Sequence, residues 1–297
     1  MNRLMGGNIL LSLGAAAMWG GGDFAGGMGV KRAGGSLGAA LRVVLLSHAT
    51  SFIVLLAMAH LRGDAMPHGA LLGWGVAAGV AGGGALTAFY IALSRGAMGA
   101  SAAVSGLLAA AIPAVLTLWR QGPPGMSPLL GFAVAAIAIW LIAASPAEEA
   151  TGGSTRQTMA LAMLAGVGFG FYFVALKMAS PAGILWPMAS ARIGSLSICS
   201  LMFFTLRLRS GKTDALRGRL NRTAVGWALA TALLDTSGNL LFVAAARAGR
   251  LDVASVLASL YPATTILLAA LALGEWPTRR QALGMAAAAA AVALIAL

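Results

Sequence analysis

Residues 145–158 read SPAEEATGGSTRQT. The stretch is polar and carries proline, paired glycines and the neighbouring acids Glu148 and Glu149, so it reads as a linker between apolar runs. A membrane helix needs ~20 apolar residues. Five segments qualify or nearly qualify before the linker, at 7–29, 36–59, 69–93, 98–118 and 127–145, and five after it, at 158–178, 185–206, 223–246, 252–273 and 280–297. The expected fold is an all-α integral membrane protein of ten transmembrane helices. Its halves are residues 1–146 and 158–297, with 147–157 between them.

The halves echo one another. A shift of 153 residues carries Gly73-Trp74 onto Gly226-Trp227 and Gly131 onto Gly284, and a shift of 150 carries Arg42 onto Arg192. Chains that repeat themselves at this scale build their sites between the repeats, near mid-membrane. Five helices per half is an odd number, so the sixth helix runs opposite to the first. The two halves are therefore expected to be inverted repeats about a pseudo-two-fold axis in the membrane plane.

Composition agrees with lipid as the solvent. The 297 residues are 59% hydrophobic and 9% charged, with a mean hydropathy of +0.87; soluble domains are about half apolar and about a quarter charged. The net charge of +12 sits in short clusters between apolar runs. Such clusters read as loop charges facing lipid headgroups, not as a nucleic-acid-binding face. One cysteine, Cys199, supports neither a disulfide framework nor a metal cluster, and His48, His60 and His68 lack metal-ligand spacing with acids. His48 lies inside an apolar run, where a helix-to-helix hydrogen bond or a proton or substrate contact would suit it. The start of the chain imitates a secretory signal, but its apolar stretch runs on to Val30 and so is long enough to span.

Gly75, Gly79 and Gly83 are spaced by four on one face of the third helix, the pattern of close membrane packing. The Gly82-Gly83-Gly84 triplet reads as packing or as a point of bending. Pro113 in the fourth helix and Pro262 in the ninth are expected to weaken their helices and release carbonyls. They do not superpose, since Pro262 falls on Ala109.

Four motifs carry a family resemblance. They are Met18-Trp19-Gly20-Gly21-Gly22-Asp23-Phe24; the arginines of Leu41-Arg42 and Ala191-Arg192; the endings Ala92-Leu93-Ser94-Arg95-Gly96 and Ala245-Ala246-Arg247; and the run from Val253 through Tyr261-Pro262, Leu273-Gly274-Glu275 and Gln281 to Gly284. With these the chain resembles the drug/metabolite transporter superfamily, in its ten-helix branch with two EamA domains. The first half departs from the pattern, with Trp119-Arg120-Gln121-Gly122 where the Leu-Gly-Glu motif would stand. The resemblance implies a basket of ten helices around a central cavity, and export or exchange of small metabolites.

Ionisable side chains inside a membrane are costly and mark function by default. Five lie within apolar runs: Asp23, Arg42, Lys177, Arg192 and Asp235. Asp23 and Arg42 stand at similar distances from the loop joining their helices and are expected to pair. Lys177 and Arg192 occupy the corresponding places in the second half as two cations. They call for a negative partner, either a substrate group or Asp235. Lys177 is near enough to a helix end to snorkel, and Arg42 and Arg192 read either as ties between helix ends or as substrate contacts. Asp235 and Asn239, at i and i+4, need a wet cavity or a cross-helix partner. Asp252 suits the start of its helix, and Glu275 is expected to pair with Arg279 or Arg280. Trp19 and Tyr172 coincide under the 153 shift and are expected to line a pocket, and the Tyr90 and Tyr261 hydroxyls want partners. Trp74, Trp119, Trp186, Trp227 and Trp276 read as interfacial belts.

The expected substrate-binding set is thus Trp19, Asp23, Arg42, Tyr90, Tyr172, Arg192, Asp235 and Asn239, with Pro113 and Pro262 as helix kinks. No metal, cofactor or catalytic residue is expected. No His-x-x-x-His motif or paired intramembrane acid points to an enzyme. The function expected is secondary transport by alternating access across the cell's inner (cytoplasmic) membrane, with a small-molecule substrate and membrane lipids as partners. The excess of intramembrane cations favours an anionic or zwitterionic solute such as an amino acid, exported from the cell; a cationic compound is the alternative. Asp23 and Asp235 are candidates for proton coupling. Lys and Arg number twelve on the odd loops against six on the even loops and the start. By the positive-inside rule this puts both termini outside, whereas the resemblance implies cytoplasmic termini; only their shared side is settled. The oligomeric state is left open, a homodimer included.

Overall fold

The computed structural model describes residues 2–95, 98–143, 155–209, 220–274 and 276–296. Among these the regular structure is all helical: α1 (Asn2–Arg32), α2 (Leu37–Arg62), α3 (Ala70–Ser94), α4 (Met98–Gln121), α5 (Met126–Ala143), α6 (Thr155–Ala179), α7 (Leu185–Arg209), α8 (Arg222–Ala248), α9 (Leu251–Ala258), α10 (Tyr261–Leu273) and α11 (Arg279–Ala296). Because α9 and α10 share one apolar span, Leu251–Leu273, the helices form ten rods. Most of the linker, at 144–154, and Glu275 lie outside the described residues.

Seven rods are long and apolar enough to cross a membrane, and Met126–Ile142 is a shorter apolar helix. The first rod is not among the seven. Its glycine-rich stretch, residues 21–30, is buried throughout, so it meets protein on every side and needs no apolar coat. The peripheral rods do carry such a coat: Ile53, Leu164, Leu233, Leu271 and Leu283 are each more than half exposed. Apolar surface of this extent is the lipid-facing shell of a multi-pass membrane protein.

Local chemistry sets several boundaries. Ser36 is extended and accepts from Ala39 N at 3.1 Å, capping α2. The surrounding Gly34-Gly35-Ser36-Leu37-Gly38 has the spacing of a nucleophile elbow, but no strand precedes it, and here it ends one helix and starts the next. Asn221 caps α8 in the same way through Ala224 N. The ninth span breaks at Ser259-Leu260, and Pro262 becomes the second residue of α10. A proline that cannot donate fits there without losing a bond. Pro113, by contrast, lies within an unbroken α4, where Thr117 donates to the Pro113 carbonyl at 2.7 Å.

Glycines bring the rods together. A Cβ at Gly79 would lie 1.8 Å from the Ala191 carbonyl oxygen, and one at Gly194 2.0 Å from that of Val76. The α3 and α7 backbones therefore touch with no side chain between them. On the other flank a Cβ at Gly131 would meet Ile295 and Ala291, and one at Gly284 would meet Ile142 and Ala138. The most extensive contacts run between α1 and α8, α3 and α6, α5 and α11, α3 and α7, α4 and α6, and α2 and α7.

One membrane face is tied by polar bonds. Asn8 Nδ2 donates to the Ala245 carbonyl at 2.9 Å, and Arg250 Nη2 to the Gly122 carbonyl at 2.7 Å. Arg250 also pairs with fully buried Asp252 at 2.7 Å. Arg247 donates to Ser180 O, and Trp186 Nε1 to the Asp64 carbonyl at 2.9 Å. Ser127 Oγ reaches Leu294 O at 2.7 Å. These bonds gather the start of α1 and the end of α11 on the same face, as ten rods of alternating direction require.

Candidate functional site

Midway along the rods a cavity opens between α1, α2, α3, α6, α7, α8 and α10. Its room for water is about 50 Å³, enough for roughly four molecules. Of the expected residues, Trp19, Asp23, Tyr172, Arg192, Asp235 and Asn239 line it, joined by His48, Phe169, Phe173, Ser195 and Tyr261.

Arg192 organises the polar side. Its Nη2 meets Asp235 Oδ2 at 2.6 Å, and its Nε donates to Ser51 Oγ at 2.9 Å. Thr236 Oγ1 donates to the same Ser51 oxygen at 2.6 Å, so α2, α7 and α8 share one network. Arg192 is 3% exposed, and its Nη1 carries no hydrogen bond among the described residues. Tyr172 Oη donates to Asn239 Oδ1 at 2.6 Å, while Asn239 Nδ2 donates to the Asp235 backbone carbonyl at 2.7 Å. Asp23, also buried, takes no hydrogen bond or ion pair among the described residues. The cavity therefore holds two carboxyls and one guanidinium, and only one carboxyl is matched.

The opposite wall is aromatic. Trp19 stacks on Phe173 at 5.2 Å with an interplanar angle of 6°, and Phe242 closes on both rings at 5.4 Å and 4.6 Å. All three are buried. They form a plug between the polar groups and the tied face. Phe169 and Phe89 meet edge to face at 5.6 Å beside them.

Several expectations are corrected. Asp23 and Arg42 form no ion pair. Asp23 lies nine residues before the end of α1, whereas Arg42 is the sixth residue of α2; at 1.5 Å per residue their depths differ by about 5 Å. The Arg42 guanidinium lies 5.6 Å from the Phe203 ring centre instead, away from the cavity lining. Lys177 and Arg192 do not act as a cation pair either. Lys177 reaches the Ala246 carbonyl at the tied face, and Arg192 takes Asp235. Tyr90 is fully buried, packed against Gly26 outside the lining, and its hydroxyl has no partner. Tyr261 does find partners, with its oxygen 2.6 Å from Ser105 Oγ and donating to Ala102 O at 3.2 Å.

Sequence reasoning passed over Ser51, Ser195, Thr236, Phe169 and Phe173. The available signal was polar spacing, since His48 and Ser51, and Arg192 and Ser195, are both i and i+3 pairs on otherwise apolar faces.

A ten-rod membrane bundle around a buried, charged mid-membrane cavity defines the class, a multi-pass membrane transporter. Residues 156–297 match the EamA-like transporter family. The match marks this second part of the chain as similar to EamA-like transporters, a family within the drug/metabolite transporter superfamily whose members are transporters and not enzymes. No curated protein matches the chain. A solved structure titled only "Crystal structure of protein" is similar at a TM-score of 0.69 and 15% identity, covering 97% of this chain and 95% of that one. That likeness speaks to the fold alone.

Proposed function

We propose that the protein is a secondary transporter of zwitterionic metabolites, amino acids foremost, in the cytoplasmic membrane, working by alternating access of two inverted repeats. One observation carries the substrate class: the cavity offers Arg192 Nη1, with no bond of its own, and the unmatched carboxyl of Asp23. A solute with a carboxylate and an ammonium satisfies both in a site where unmatched charge is expensive. The excess of intramembrane cations no longer argues for an anion, because Arg42 and Lys177 lie elsewhere and Asp235 matches Arg192. A cationic compound is the second reading, favoured by the single unmatched acid beside the aromatic wall.

The repeat reading draws support from the contacts. Exchanging each rod with the one five places on turns α1–α8 into α6–α3 and α3–α7 into α8–α2, and returns α2–α7 and α5–α11 to themselves. The shift of 153 carries Gly131, Ala138 and Ile142 onto Gly284, Ala291 and Ile295, the very groups they face. With room for only a few waters, the cavity must widen to admit a solute, and separation of the aromatic plug is the movement we assign to that step.

The test is counterflow in proteoliposomes loaded with unlabelled amino acids or, separately, organic cations. Uptake of labelled amino acid against its gradient, lost in Arg192→Ala, supports the proposal. Counterflow by cations alone selects the second reading, and export is tested by loading the opposite side.

A further inference from the structure

The zwitterion reading says which charges meet, not how the ammonium is told from its methylated forms; His48 bears on that. The ring is 3% exposed and lines the cavity. Its Nδ1 lies 2.8 Å from Ser195 Oγ, and its Nε2 is buried without a partner. Ser195 has a single hydroxyl hydrogen, which it donates to the Arg192 carbonyl at 3.2 Å. With that hydrogen on the Arg192 carbonyl, the Ser195 oxygen accepts from His48, and we assign His48 the Nδ1–H tautomer on this basis, with Nε2 as the lone-pair acceptor. An acceptor orphaned in a dry wall costs free energy unless a ligand fills it. A protonated amine offers several N–H donors, and Asp23 uses only some of them.

Resting on that reading, we infer that His48 is the specificity residue of the site: its Nε2 accepts a hydrogen bond from the substrate's ammonium and so selects primary amines over quaternary ones. Ser195 is a positioning residue that fixes the acceptor tautomer. The aromatic wall makes the opposite prediction, because a cage of Trp19, Tyr172 and Phe173 acting alone would prefer a quaternary ammonium.

The two are separated by titrating the purified full-length protein calorimetrically with L-phenylalanine and with N,N,N-trimethyl-L-phenylalanine. The side chain is common to both ligands, so the difference reports the amine. The wild type is expected to bind the primary amine at least about tenfold tighter, the factor that one hydrogen bond to a charged group carries. His48→Leu should bring the two affinities within about threefold, His48→Gln should restore part of the preference, and Ser195→Ala should weaken it. Equal affinities in the wild type, or tighter binding of the trimethyl form, overturns the His48 assignment while amino-acid counterflow leaves the transport reading standing. Preference undiminished in His48→Leu overturns it as well. Binding of neither ligand removes both readings.

Discussion

Asp23 is buried and Asp235, on a neighbouring rod, is partly exposed to the cavity, and their surroundings give them different work. Asp235 is held by Arg192 at 2.6 Å. Removing one partner of a buried pair strands the other, at a cost of about 3–5 kcal/mol in soluble proteins. Asp235→Ala is therefore expected to lower the melting temperature in detergent by several degrees, with Arg192→Ala doing the same, whereas Asp23→Asn, which breaks no ion pair, should leave it near the wild-type value. Scanning fluorimetry checks this. Transport should not follow stability: Asp23→Asn is expected to cut amino-acid counterflow at least about tenfold and to remove any response to an imposed pH gradient. A pH response that survives in Asp23→Asn rules out proton coupling through that acid. At this scale the sequence shows which side chains are out of place in an apolar run, and six of the eight expected residues line the cavity. It named Asp235 as one possible partner for the second-half cations, the one Arg192 takes, but misjudged the pairing of Asp23 with Arg42. Arg42 failed because depth was judged by distance to a shared loop, and α1 continues three residues beyond its apolar stretch, to Arg32. His48 and Ser195 were under-read because a lone polar residue on an apolar face looks the same whether it bonds a neighbour or a ligand.

The α3–α7 contact brings two helix backbones together at glycines, Gly79 on one side and Gly194 on the other. Gly79→Leu and Gly194→Val each place carbon atoms inside a backbone carbonyl of the opposite helix. Both are expected to abolish monodisperse folded protein on size-exclusion chromatography, while Gly73→Ala, which meets nothing within 4 Å, should behave as wild type. The spacing of Gly75, Gly79 and Gly83 made this face legible in advance, because four-residue periodicity is a property of one helix. The break between α9 and α10 was less legible. Proline in an apolar run reads as a weak point, but whether the helix continues through it, as in α4, or restarts at it, as at Pro262, is decided by packing. Gly106 lets the Ser259 carbonyl approach to 2.9 Å of where its Cβ would be, and that neighbour is far away in sequence.

Across the whole molecule, composition and the polar stretch at 145–158 were enough for a ten-rod membrane bundle, since lipid leaves so few ways to satisfy a backbone. The arrangement of the rods required contacts, and those contacts exchange under the shift that the tryptophans and glycines already suggested. The mechanism this implies is a central chamber, sealed in the present state by the Trp19–Phe173–Phe242 plug and the polar ties around Asn8, Arg247 and Arg250. The most direct measurement introduces Cys at Asn239, beside the site, in a Cys199→Ala background, and applies a membrane-impermeant thiol reagent from each side of oriented vesicles in turn. Alternating access predicts labelling from either side, slowed in both cases by a transported amino acid. Labelling from one side only, or from neither, contradicts it.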